Sequence, residues 1–118
     1  MAHDAQLLKG VLSPLLLSLL AERESYGYEL VQRLRDLGLA DIADGTVYPA
    51  LARLEREGRV AARLIESRSG PARKYYRPTP AGYDALADGV AMWRALTETI
   101  TPALSRPVPP HPAPPMET

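Results

Sequence analysis

Arg53, Arg56, Arg59, Arg63, Arg68, Arg73, Lys74 and Arg77 fall between residues 45 and 78, against Glu55, Glu57 and Glu66, for a local charge of +5. Cations at this density are the chemistry of polyanion binding. They displace counterions from a phosphate backbone, and a guanidinium fork also reads the edge of guanine. The flanking segments carry the opposite sign, −3 over residues 1–44 and −2 over 79–118, so the chain is neutral with 14 basic and 14 acidic residues. A basic block between acidic flanks suits one face turned to a polyanion. It equally suits an arginine-rich solvated surface, so its placement on the fold decides.

Other chemistries are poorly provided for. There are no cysteines, and the histidines, His3 and His111, sit near the two ends of 118 residues. Thiolate nucleophiles, disulfides and thiolate zinc sites are excluded, and with the two histidines at opposite ends no histidine-based triad or metal cluster is expected. No glycine-rich phosphate loop and no nucleophile-base-acid set occurs, so an enzyme is not expected, nor a cofactor or metal. The length fits one domain with a tail. The apolar run from Val11 to Ala21 is too short to span a bilayer, which takes about 20 residues. It lacks the basic start and small-residue cleavage site of a signal peptide, so a buried helix of a cytoplasmic protein is expected.

Punctuation orders the elements that must position the cations. Ser13–Pro14 predicts a helix start, with Leu15, Leu16, Leu19 and Leu20 as an apolar stripe over about 14–22, and residues 5–10 as an added turn. Ser25 is read as the cap of a second helix over about 26–37, stopped by Gly38. A third helix is expected over about 46–57. Thr46 is read as its cap, which would put Pro49 at the third position, where no intrahelical donor is needed. Val47, Ala50, Leu51 and Leu54 mark its buried face; Tyr48, Ala52, Arg53 and Arg56 mark the opposite one.

After Gly58 the period changes to two. Residues 60–65 and 73–77 read as strands of a hairpin, with a loop over 67–72. Tyr75 and Tyr76 point to opposite faces, one of them into the core. Thr79–Pro80 then predicts a long helix over about 80–101, ended by Pro102. Along it Tyr83, Leu86, Val90, Trp93, Thr97, Ile100 and Leu104 are spaced as a heptad seam. That seam packs either on the chain's own first helix or on a second copy. Seven of the twelve prolines lie between Pro102 and Thr118, which reads as an extended, disordered tail, a spacer or a ligand for a proline-reading partner.

Three helices followed by a hairpin make a winged helix-turn-helix, so the expected class is mainly α with a small β-hairpin. The division is a winged unit at 5–78, a C-terminal dimerisation helix at 79–101 and a tail at 102–118. In this design the third helix enters the major groove of double-stranded DNA. The basic block coincides with that helix and the wing.

Three segments resemble the PadR-like transcriptional regulators: YGYEL at Tyr26–Leu30, GTVYPALARLEREG at Gly45–Gly58 and SGPARKYYRPTPAG at Ser69–Gly82. The resemblance covers about residues 7–100 and is to the short form of the family, with one C-terminal helix. It implies a homodimeric winged-helix DNA-binding protein, usually a repressor, responsive to a small molecule. Pro78 departs from the apolar residue more usual at the end of that strand, which would shorten it, and the proline-rich tail is a second departure.

The DNA-contacting candidates are Thr46, Tyr48, Arg53, Arg56, Arg68, Arg73 and Lys74. Thr46 and Tyr48 suit a phosphate or thymine methyl, and Arg53 a guanine edge or phosphate. Arg68, Arg73 and Lys74 on the wing suit phosphates, which position rather than specify. The plainer roles are packing for Tyr48 and a pair with Glu57 for Arg53. With no asparagine and only Gln6 and Gln32, bidentate adenine reading from the third helix is excluded, leaving arginine and DNA shape.

Leu86, Val90, Trp93 and Ile100 are the expected dimer interface. Trp93 either anchors that interface or, as the resemblance implies, stacks on a flat aromatic effector, with Val90, Leu96, Ala87 and Leu16 lining the space. The alternative function is a winged-helix protein-interaction module without DNA binding.

Overall fold

Four of the five helices and a small sheet enclose one leucine-rich core in the computed structural model, which describes residues 5–113, 115 and 116. The order is α1 (Ala5–Lys9), α2 (Leu12–Glu22), β1 (Ser25–Tyr26), α3 (Gly27–Asp36), α4 (Asp44–Arg56), β2 (Val60–Ser67), β3 (Gly70–Pro78) and α5 (Pro80–Leu104). The sheet is antiparallel with strand order β1-β3-β2. This is the expected mainly helical winged helix-turn-helix with a long C-terminal helix.

The core takes one stripe from each of α2, α3 and α4. Leu16, Leu17 and Leu20 of α2 meet Leu30, Val31 and Leu34 of α3, and Val47, Leu51 and Leu54 of α4. Val60 and Tyr76 close it from the sheet. Tyr76 is thus the core member of the tyrosine pair, and Tyr75 lies on the outer face.

Helix ends follow the glycines. Gly38 has φ of 123° and Gly58 of 72°, the left-handed region that favours glycine. At each, paired backbone bonds close the helix: Gly38 and Leu39 donate to Arg35 and Leu34, and Gly58 and Arg59 donate to Glu55 and Leu54. Thr79 caps α5 as expected. Its Oγ1 accepts from the Gly82 amide at 3.1 Å and donates to the Gly58 carbonyl at 2.6 Å, tying α5 to the end of α4.

Other helix starts differ from expectation. Val11, not Ser13, precedes α2, which puts Pro14 in the first turn, where its missing amide costs nothing. Ser25 does not cap a helix. It belongs to β1, fully buried, and its Oγ accepts from Arg33 Nη1 at 2.9 Å. Arg33 also donates to the Leu19 carbonyl at 2.8 Å and to Glu22 at 3.0 Å, so a cation closes the C-terminal end of α2. Thr46 does not cap α4 either. The helix starts at Asp44 after Ala43, and Pro49 lies inside it, where it deprives the Gly45 carbonyl of its helical donor. Arg35 holds the preceding loop by donating to the Ile42 carbonyl at 3.0 Å.

The hairpin is longer than its pattern. Ser67 pairs with Gly70, so only Arg68 and Ser69 form the turn, and Gly70–Ala72 join β3 rather than a loop. Pro78 does not shorten the strand; it pairs with Val60 at the far end of the ladder. Pro102 does not end α5, which runs on to Leu104. Residues 107–113 have no regular structure. The rest of the tail expectation, at Pro114, Glu117 and Thr118, lies outside the described residues, as does His3.

Candidate nucleic-acid interface

α4 presents the face that its periodicity requires. Val47, Leu51 and Leu54 are fully buried, while Tyr48, Ala52, Arg53 and Arg56 face outward. Arg53 is 71% exposed and its Nε lies 3.7 Å from Glu57 Oε1, a loose pair one turn on. Thr46 is half-buried at the start of the same helix.

Tyr48 both packs and shows. Its ring covers Gly27 at the start of α3, yet 43% of the residue stays exposed. Burial raises its phenol above the ordinary tyrosine value, helped by the Asp44 carboxylate. It therefore stays a neutral hydroxyl, able to donate to an anion.

On the hairpin the three wing cations have different settings. Arg68 is exposed in the two-residue turn. Arg73 lies over the Tyr26 ring, 4.6 Å from its centroid, and Tyr26 meets Tyr75 edge-on at 5.3 Å. Lys74 bonds Glu55 of α4 at 2.8 Å and lies 5.4 Å from the Tyr76 ring centroid. The Glu55 hydrogen bond raises its ammonium above the ordinary lysine value, so it is fully charged. Lys74 thereby joins wing to helix.

Strand alternation divides these groups. Lys74, Tyr76 and Leu64 share the face turned to α4, and Leu64 there is 71% exposed. Arg73, Tyr75, Arg77 and Arg63 share the other face. On it Arg63 forms a two-bond pair with Glu24: Nε bonds Oε2 at 3.1 Å and Nη2 bonds Oε1. That hydrogen bond, with the positive charges of Arg63 and Arg77, holds the Glu24 carboxyl below the ordinary range.

The second candidate surface is α5. Its first half packs on α2 through Leu86 and Gly89, where a Cβ would stand 2.9 Å from Pro14 Cβ. Gly82 is required too: a Cβ there would stand 2.0 Å from the Arg59 carbonyl oxygen. Beyond Gly89 the helix leaves the core. Val90, Trp93, Leu96 and Ile100 lie exposed on it, Trp93 at 51%. Leu16 is not with them: it is fully buried in the core and cannot line a space beside Trp93. Leu86 is half-buried on α2 and only borders the exposed stretch.

Sequence reasoning missed Tyr26 as the seat of Arg73, and the Glu24–Arg63 pair. Both depend on β1 pairing with β3, a contact with no local signature. The glycine between two tyrosines in Tyr26-Gly27-Tyr28 is the available clue, since it marks a close approach.

Among the described residues no helix is long and apolar enough to cross a membrane. Comparison with known proteins agrees with the architecture. A PadR-like transcriptional regulator from Bacillus cereus superposes with a TM-score of 0.78 at 34% identity, covering 87% of this chain and 100% of that one. A protein of Lysinibacillus sphaericus is 32% identical over 98 residues, 81% of this chain and 90% of that protein. A transcriptional regulator of Mycobacterium tuberculosis is 40% identical over 70 residues, 58% of this chain and 62% of that protein. The profile of the PadR-like family matches residues 16–88, across the core, the outer face of α4 and the wing, so the chain belongs to the PadR-like family of transcriptional regulators.

Proposed function

We propose that the protein is a homodimeric, DNA-binding transcriptional repressor that releases its operator when a small, flat aromatic effector binds at the dimer seam. The observation that carries the DNA reading is the joint exposure of Tyr48, Arg53 and Arg56 on α4 beside a wing bearing Arg68, Arg73 and Lys74. In this reading α4 enters the major groove and the wing holds adjacent phosphates. Lys74 stands beside α4, where its bond to Glu55 offsets part of its charge.

The unpartnered apolar stretch of α5 supports the dimer. Val90, Trp93 and Ile100 at heptad spacing are suited to a second copy of the same helix. A twofold pair would set two recognition helices about 34 Å apart, one duplex turn. Trp93 then lies in the seam, with Val90 and Leu96 available to line an effector site. An effector acts only if it binds the DNA-free arrangement more tightly than the DNA-bound one.

The test is titration of operator DNA, selected from random sequence, with the intact protein and with the double variant Arg53→Glu/Arg73→Glu. Affinity should fall steeply with salt and vanish in the variant. Equal affinity of variant and parent would instead favour a protein partner on this surface, where Glu55 and Glu57 leave the charge mixed.

A further inference from the structure

An open cavity of about 500 Å³ lies between the end of α2, the outer face of the sheet and the start of α5. Its lining comes from the sheet face turned away from α4, which also carries Arg73 nearer the hairpin turn, but none of the proposed DNA-contacting residues lines it. It is also separate from the Trp93 stretch further along α5. Ala21 and Pro78, both half-buried, give it a small apolar wall, and the half-exposed Tyr83 ring stands at its edge.

Its charge is unbalanced. Arg23, Arg63 and Arg77 line it against one acid, Glu24. The Glu24–Arg63 pair is self-neutralising and fixes the Arg63 fork in place. Among the described residues, neither Arg23 nor Arg77 has a carboxylate within ion-pair distance. Two guanidinium charges therefore remain over an apolar wall and an aromatic ring.

We propose that this cavity binds a small phosphate monoester carrying a flat ring, of the nucleoside monophosphate class, with the phosphate between Arg23 and Arg77 and the ring against Tyr83 and Pro78. A phosphate monoester carries about −1.5 to −2 charges near neutral pH, which matches two free guanidiniums; a single carboxylate would leave one uncompensated. Guanidinium forks pair with phosphate oxygens in two-bond geometry. The volume lies within the roughly 300–1,000 Å³ typical of small-molecule sites. A ligand here touches α2, the sheet and α5 together, and so ties the root of the C-terminal helix to the winged unit. The assignment does not depend on DNA binding or on the dimer seam.

Calorimetric titration of the full chain with adenosine monophosphate, adenosine and inorganic phosphate tests it. Adenosine monophosphate should bind at least about tenfold more tightly than either fragment. The double variant Arg23→Gln/Arg77→Gln should lose at least about tenfold in that affinity, while Arg106→Gln, in the tail, should bind as the parent does. Tyr83→Ala should weaken adenosine monophosphate and leave inorganic phosphate unchanged. Should the double variant fold poorly, Arg77→Lys, which keeps the charge and loses the fork, should still bind more weakly than the parent. Absence of heat with adenosine monophosphate at millimolar concentration overturns the proposal. Equal affinity for adenosine does so as well, and so does parental binding by a folded double variant.

Discussion

The ring of Tyr48 in α4 lies directly over Gly27 at the start of α3: a Cβ on Gly27 would stand 2.4 Å from Tyr48 Cε1 and 2.9 Å from Cζ. The two helices of the helix-turn-helix are thus gauged against each other by an aromatic ring on a bare backbone. The ring is the outer end of a side chain that is already 43% exposed, so it can swing outward.

Gly27→Ala should therefore alter function before stability. Gly27 has no positive φ, so the added methyl stabilises by about 0.4–1 kcal/mol through the reduced freedom of the unfolded chain, which offsets much of the lost ring packing. The melting temperature should stay near that of the parent while operator affinity falls, because Tyr48 leaves its position on the α4 face. A thermal melt and a DNA titration on the same sample check this. A large drop in melting temperature would mean that the helices, not the ring, had moved.

Glu55→Gln should strengthen DNA binding. Glu55 bonds Lys74 at 2.8 Å and brings a negative charge to the proposed phosphate-facing surface. Its loss releases one ammonium and removes one repulsion. Affinity should rise severalfold at low salt, and the advantage should disappear at high salt, where surface charges are screened. Unchanged affinity at low salt would place Lys74 away from the duplex.

Much of this arrangement is legible from local chemistry. Thr79–Pro80 caps α5, and Gly38 and Gly58 end α3 and α4, because each is settled within one turn of chain. Ser13, Ser25 and Thr46 mislead for a common reason: a residue able to cap a helix need not be used as one. Ser25 is claimed by pairing with Tyr76 and by the Arg33 guanidinium, partners remote in sequence. Gly70–Ala72 look like loop but are zipped into β3 by a two-residue turn. Leu16 fits the same apolar stripe whether that stripe faces a core or a ligand space, and only the packing of α2 on α3 and α4 decides for the core.

The Glu24–Arg63 pair should be visible as pH dependence. The Arg63 hydrogen bond, then the Arg63 and Arg77 charges, depress the Glu24 carboxyl, with burial opposing. A depressed folded value means stability contributed above the ordinary carboxylate range and lost as pH falls through the depressed value. The melting difference between the parent and Arg63→Gln should be full at neutral pH and close in acid. It should be small throughout, as for other solvent-exposed pairs. In the variant, the Glu24 titration followed by carboxyl NMR should move up toward the ordinary range. A Glu24 midpoint unaffected by the substitution would show that the pair does not persist in solution.

Trp93 offers the most direct reading of the assembly. It is the single tryptophan, half exposed on a helix that runs beyond its own core. In a dimer the seam removes it from water, so its emission should be blue-shifted at micromolar protein and move red on dilution. A flat polycyclic dye should quench it saturably if the indole stacks on a ligand, and should leave it unchanged if the indole only packs between helices. Trp93→Leu separates these roles further. It keeps apolar bulk in the seam, so the dimer and DNA binding should survive, while release of DNA by the dye should be lost. A solvated indole spectrum at every concentration, with no response to dye, would remove both roles, and with them the proposed partner of the exposed apolar stretch of α5.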